Sequence, residues 1–133
     1  MKYTLKVKTH SQTEFIDITK EVDGIIRKSK LEEGICTVFS PHTTSGITIN
    51  ENADPSVKDD ILYGLNKLVP LNGNYAHAEG NSAAHIKTSL IGSSENVPVS
   101  GGTLGLGRWQ GIFLCEFDGP RTREVIVQLL SGH

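Results

Sequence analysis

Apolar and polar residues alternate one for one at the start of the chain, with Tyr3, Leu5 and Val7 facing one way and Thr4, Lys6 and Lys8 the other. A period of two belongs to a half-buried strand. Glu14 to Ile18 reads as a second strand, with His10-Ser11-Gln12-Thr13 as the tip of a hairpin between them. The period then changes. Val22, Ile25 and Ile26 recur at helical spacing behind Thr19, a suitable cap, while Gly24 weakens that helix and Gly34 lies in the loop after it. Ile35 to Ser40 and Gly46 to Asn50 are apolar strands on either side of the polar loop Pro41-His42-Thr43-Thr44-Ser45. Asp54-Pro55 opens the next helix, since aspartate caps a first turn and proline suits its first position. Val57, Ile61, Leu65 and Leu68 share one face of it, and Pro70 closes it.

Leu71 to Gly80 is a long loop for a compact domain, and long loops are often functional. A short helix follows over Ala83 to Ile91, with Asn81 or Ser82 as its cap. The remainder is β-rich: Val97 and Val99, a Gly101-Gly102 turn, Leu104 and Leu106, a strand from Ile112 to Phe117, the turn Asp118-Gly119-Pro120, and a last strand from Glu124 to Leu130. Strands grouped at both ends around helices predict an α+β domain with layered sheets and about three helices. No internal repeat or linker divides residues 1–133, so one domain is expected.

Composition narrows the function classes. A net charge of −2 and a pI near 6.2 give no electrostatic footprint for nucleic acid or an anionic membrane. No apolar run approaches the roughly 20 residues that a transmembrane helix needs. The N-terminus lacks the pattern of a signal or transit peptide, and two cysteines, Cys36 and Cys115, are too few for a disulfide scaffold. The expected location is the cytoplasm, with both thiols buried and reduced.

Candidate chemistry concentrates between Tyr75 and Lys87, where two histidines, a carboxylate, a Gly-Asn pair and a lysine are crowded together. Imidazole changes charge near neutral pH and binds metals when neutral. The free N–H groups and dipole of a helix start favour anions. This segment reads as half of a polar site for an anionic ligand, a metal or both. His77 and His85 lie across a turn from each other, and His42 offers a third imidazole, the number at which a zinc site becomes feasible. The plainer reading makes all three hydrogen-bonded loop histidines. His10, at the hairpin tip, and His133, the last residue, are expected at the surface.

Glu116 continues the apolar face of Ile112 and Leu114, where a carboxylate must be paired, hydrogen-bonded or metal-bound unless the strand end lets it reach water. Lys87, two residues from His85, is the better phosphate candidate. Arg108, Arg121 and Arg123 could clamp a phosphate, although each reads as readily as a surface charge. Gly101 to Gly107 lacks the strand-to-helix setting and the Gly-Lys-Ser/Thr ending of a phosphate loop, and a Gly-rich hairpin fits it better.

Three blocks carry a resemblance. Ser40-Pro-His42-Thr-Thr-Ser-Gly-Ile-Thr-Ile-Asn-Glu-Asn-Ala-Asp54-Pro, His77-Ala-Glu-Gly-Asn-Ser-Ala-Ala-His85-Ile-Lys87 and Gly107-Arg-Trp-Gln-Gly-Ile-Phe-Leu-Cys-Glu116-Phe-Asp-Gly-Pro-Arg121 resemble signatures of the YjbQ-like family, in the family's order. The resemblance implies a layered α+β fold, a homotrimer, and a pocket built from the His42 loop, the His77–His85 segment and the strand bearing Glu116. It also implies secondary thiamine-phosphate synthase activity, in which a thiazole phosphate displaces pyrophosphate from a pyrimidine-methyl pyrophosphate. On that reading His42, His77, His85 and Glu116 are catalytic, Asn81, Lys87 and Arg121 bind the anionic small-molecule substrates, and Mg²⁺ assists. If His42, His77 and His85 instead hold Zn²⁺ or another transition ion, a metal-dependent hydrolase of a phosphorylated or amide metabolite is the alternative. A trimer that only binds an anionic metabolite is the third.

Overall fold

Strand pairing sets the frame. The computed structural model describes residues 1–132, so His133 lies outside the described residues. The elements run β1 (Lys2–Lys8), β2 (Glu14–Asp17), α1 (Thr19–Ser29), β3 (Gly34–Phe39), β4 (Ser45–Glu51), α2 (Pro55–Leu68), α3 (Ser82–Ile91), β5 (Ser94–Ser100), β6 (Thr103–Leu104), β7 (Gln110–Glu116) and β8 (Thr122–Ser131). They form a five-stranded sheet ordered β1-β8-β3-β5-β6 and a three-stranded sheet ordered β2-β7-β4. Every pairing is antiparallel. With three helices added, this is the α+β class that the sequence predicts.

Alternation explains the main core. Val125, Val127 and Leu129 of β8, with Cys36 and Val38 of β3, point inward from the five-stranded sheet. They meet Ile47 of β4, Ile112 and Leu114 of β7, and Val22 and Ile26 of α1. The odd-numbered residues of β7 serve a second core, in which Phe15, Phe113, Cys115 and Phe117 pack with Ala84 of α3 and with Ile61, Leu62 and Leu65 of α2. Because β7 works on both faces, Gly111 to Glu116 is buried throughout. The outer face of the five-stranded sheet is different: it exposes Ile35, Phe39 and Leu130.

Several sequence expectations need correction. β1 and β2 do not form a hairpin, because β1 pairs with β8 and β2 with β7, in different sheets. Phe15 is needed under the helices, and β1 is needed at the other sheet's edge. The bend between them is held by Glu14, whose carboxylate accepts the backbone N–H groups of His10 and Ser11. Thr19 is the first helical residue of α1, not its cap. Asp17 accepts the Thr19 N–H, and the Thr19 hydroxyl accepts the N–H of Ile112 at 2.9 Å. On α2, Asp54 and Pro55 act as the sequence says, with Asp54 accepting from the Ser56 N–H at 3.0 Å. Leu68, however, is 77% exposed, since the half-buried stripe of α2 runs through Ile61, Leu62 and Leu65.

α3 is placed by a close approach. The Ile47 N–H donates to the Gly92 carbonyl at 3.1 Å, and a Cβ on Gly46 would stand 2.6 Å from that oxygen. Only glycine fits there. Leu114→Ala, at a fully buried site between the sheets, should cost about 2–5 kcal/mol in urea unfolding, whereas Leu130→Ala should stay within about 0.5 kcal/mol. Equal losses would contradict the assignment of inner and outer sheet faces.

Candidate functional site

The site begins with a buried ion pair. Arg123, on the inward-facing register of Val125 and Val127, meets Glu116 at the end of β7, and neither side chain is more than 3% exposed. Arg123 Nε donates to Glu116 Oε1 at 2.9 Å, and Nη2 donates to Oε2 and to the Thr44 hydroxyl, the latter at 2.8 Å. The Thr9 hydroxyl donates to Oε1 at 2.8 Å, and the Asp118 N–H donates to Oε2 at 3.1 Å. Burial alone would raise the Glu116 pKa. The hydrogen bonds from Arg123, the Asp118 N–H and Thr9 outweigh it and hold the carboxyl below its ordinary value.

From this pair the order passes outward. Asp118 Oδ2 accepts from Asn81 Nδ2 at 2.9 Å and from Arg121 Nη2 at 3.2 Å, and the Asp118 carbonyl accepts from Arg121 Nε. Asn81, the residue before α3, makes no side-chain cap; its amide is spent on Asp118, and its Oδ1 is buried with no partner among the described residues. The preceding turn closes with the Gly80 N–H on the His77 carbonyl, at a φ of +75° that favours glycine. That turn brings the His77 and His85 rings to 5.4 Å between centroids, almost perpendicular. The result is a cleft of about 280 Å³ lined by His77, Glu79, Asn81, His85, Asp118 and Arg121 together with Thr43 and Thr44. Two broader depressions, one beside Tyr75 and Ile86 and one beside Thr88 and Ser93, also reach His85.

Thus His77, His85, Asn81 and Arg121 come together as expected, while His42, Glu116 and Lys87 do not join them in the cleft lining. His42 Nε2 accepts the backbone N–H of Glu124 at 2.9 Å, which pins the loop to β8 and places the neutral ring's proton on Nδ1. Burial and the nearby Arg123 guanidinium lower its pKa. Glu116 is fully buried with all its bonds internal. Lys87 lies on the far side of α3, 2% exposed, its ammonium donating to Asn66 Oδ1. Residues two apart on a helix point in nearly opposite directions, so closeness to His85 in sequence puts Lys87 away from it in space. Among the described residues, no three His, Cys, Asp or Glu side chains are grouped as ligands for one metal ion.

Sequence reasoning assigned Thr43 no role of its own, counted Glu79 only as the carboxylate of its segment, and weighed Arg123 as a phosphate clamp or a surface charge, not as the partner of Glu116. Arg123 did carry a signal, since alternation from Leu129 back through Val125 puts it on the inward face. Arg108, by contrast, is a surface residue that stacks on the Trp109 ring, 4.7 Å from its centroid.

The sequence profile of the UPF0047 protein YjbQ-like family matches residues 3–132. The chain belongs to that family. A UPF0047 protein of Methanocaldococcus jannaschii is 51% identical over 131 residues, which make up 98% of this chain and 95% of the relative. The UPF0047 protein YugU of Bacillus subtilis is 47% identical over 96% of this chain and 98% of its own length. Among solved structures, a YugU ortholog from Clostridium acetobutylicum superposes with a TM-score of 0.92 at 52% identity, covering 98% of this chain and 99% of that one. A YbjQ-like protein of unknown function from Sulfolobus solfataricus gives 0.95 at 34% identity, with 98% and 96% covered. The YjbQ-like fold expected from the three motifs is therefore the fold found.

Two outcomes test this wiring in the YjbQ-like chain. Glu116→Gln leaves the Arg123 charge buried without its partner and should cost about 3–5 kcal/mol at neutral pH in urea unfolding. Because the folded-state pKa of Glu116 is lowered, its contribution is complete above the unfolded value and fades as pH falls through the folded one. The gap between variant and wild type should therefore narrow in acid, and a gap that widens there would contradict the pairing. In a nitrogen-detected NMR titration, His42 should protonate below 6.5 and show the Nδ1–H tautomer above its midpoint.

Proposed function

We propose that the cleft between α3 and the Asp118–Arg121 turn binds phosphorylated heterocycles and performs a thiamine-phosphate synthase-like transfer. The observation that supports this most is the convergence of Arg121, Asn81 and the His77–His85 pair on one small polar cleft. In that reaction the ring nitrogen of a thiazole phosphate attacks the methylene carbon of a pyrimidine-methyl pyrophosphate. The carbon–oxygen bond breaks, and pyrophosphate leaves with the electron pair.

Each residue has a part in this reading. Asp118 fixes one edge of the Arg121 guanidinium, whose side chain stays 50% exposed and keeps N–H donors for phosphate oxygens. Asn81 holds the Asp118 carboxylate through its Nδ2 and so keeps it beside Arg121 at the wall of the cleft. His77 and His85 donate to oxygens that gain charge as pyrophosphate departs. Glu116 acts through others, by holding the Asp118 backbone and Arg123 in place.

Of the metals the sequence brings into consideration, Mg²⁺ fits this donor set. It takes one or two carboxylates together with substrate phosphates, and Glu79 and Asp118 would supply them. When bound it would neutralise pyrophosphate charge. A transition ion held by His42, His77 and His85 does not fit, because His42 Nε2 is already committed to Glu124, and the hydrolase reading loses its support with it.

The cleft alone is at the small end of ligand sites. The depressions that share His85, about 550 and 520 Å³, offer room for a second substrate but stand open. A homotrimer would wall them with a neighbouring subunit, and the exposed Ile35, Phe39 and Leu130 favour such association. A trimer that only binds its metabolite is the second reading, favoured by the internal commitments of His42 and Glu116.

Turnover of the two precursors with Mg²⁺, by protein made in a host lacking its own synthase, separates these readings. Wild type should form thiamine phosphate, and His85→Ala should lose about a hundredfold or more in rate while staying folded. Precursor affinity without turnover would establish the binding role. No product, or equal traces from both proteins, would remove the synthase reading.

A further inference from the structure

On the side of α3 away from the histidines lies a second cavity, about 170 Å³, lined by Gln12, Thr13, Asn66, Ala83, Lys87 and Phe117, with Leu71 at its rim. It shares no lining residue with the histidine cleft. Lys87 is 2% exposed, and among the described residues its Nζ makes one hydrogen bond, 2.5 Å to Asn66 Oδ1. An ammonium has three N–H groups to satisfy. Among the described residues no carboxylate lies within ion-pair distance of it. An unpaired buried charge is strongly unfavourable, so its counter-charge must come from elsewhere or the group must give up its proton. Burial already lowers the Lys87 pKa.

The surroundings favour a ligand as the missing partner. Asn66 is oriented by its second bond, Nδ2 to the Thr13 hydroxyl at 3.5 Å, so its oxygen is turned toward Lys87. Ala83 belongs to the first turn of α3, which no side chain caps, although the Ala84 and His85 N–H groups there already donate to the Asn81 carbonyl. Ala83, Leu71 and Phe117 add an apolar wall. Lys87 therefore shares a small cavity with the polar side chains of Gln12, Thr13 and Asn66 and with the apolar surface of Leu71, Ala83 and Phe117. We propose that this cavity binds the carboxylate or phosphate group of a small metabolite, with Lys87 as counter-ion, Thr13 and Gln12 as further hydrogen-bonding partners, and Phe117 against the ligand's apolar part.

The test is an amide NMR titration of the full chain with sodium propanoate and, separately, inorganic phosphate, in a buffer free of both. Either or both should shift the amides of Thr13, Asn66, Ala83 and Lys87 saturably, and the responder identifies the head group. Lys87→Met should weaken that binding by about tenfold or more, the loss expected for a charge-assisted hydrogen bond. Leu71→Trp, which fills the rim from a half-exposed position while leaving Lys87 intact, should weaken it too, and decides the matter if Lys87→Met does not fold. His85→Ala should leave it unchanged. The proposal is overturned by shifts confined to His77–His85, by the absence of saturable shifts around Lys87, or by undiminished binding in Leu71→Trp.

Discussion

The Glu116–Arg123 pair is the interaction on which the site depends. β7 belongs to one sheet and β8 to the other, and at this end of the core a charged bridge replaces hydrocarbon. The pair also gathers the segments that leave the sheets there. Thr9 follows β1, Thr44 precedes β4 and Asp118 follows β7, and all three bond to it. A pair so buried contributes little net stability compared with well-packed apolar residues, but its demand for directed partners fixes three loops in register. The cleft is built on those loops, so its geometry is inherited from a network that reaches its lining only through Thr44 and Asp118.

Much of the fold was legible because period and burial agree in this chain. The alternation of β1 and β8, the helical spacing of α1 and the Asp54-Pro55 start each have a local cause and appear where that cause lies. Pairing was less legible. Nothing in the sequence between Lys8 and Glu14 shows that the chain crosses from one sheet to the other, because the reason is remote: β8 and β7 each offer an edge, and Phe15 is drawn under α2 and α3. Leu68 illustrates the same limit. Its spacing suits the apolar stripe, but the stripe of a helix is set by what lies beneath it, and α2 has run past the second core by that point.

For the site, residue type was informative and residue role was less so. His77, His85 and Asn81 mark a segment that lines the cleft, since polar groups gather there at a helix start. Proximity in sequence misplaced Lys87, whose direction follows from helical geometry alone. Glu116 was correctly seen to need a partner, yet the partner sits on a different strand, and only the inward register of β8 points to Arg123. His42 shows that an imidazole beside a site can serve as a backbone acceptor that anchors a loop.

α3 is held at one end by Asn81 on Asp118 and at the other by the Gly92 carbonyl on β4. Between those anchors it is a party wall, with His85 looking into one chamber and Lys87 into the other. A helix tied at both ends keeps its two faces at a set distance, so one pair of anchors fixes where the imidazole and the ammonium stand.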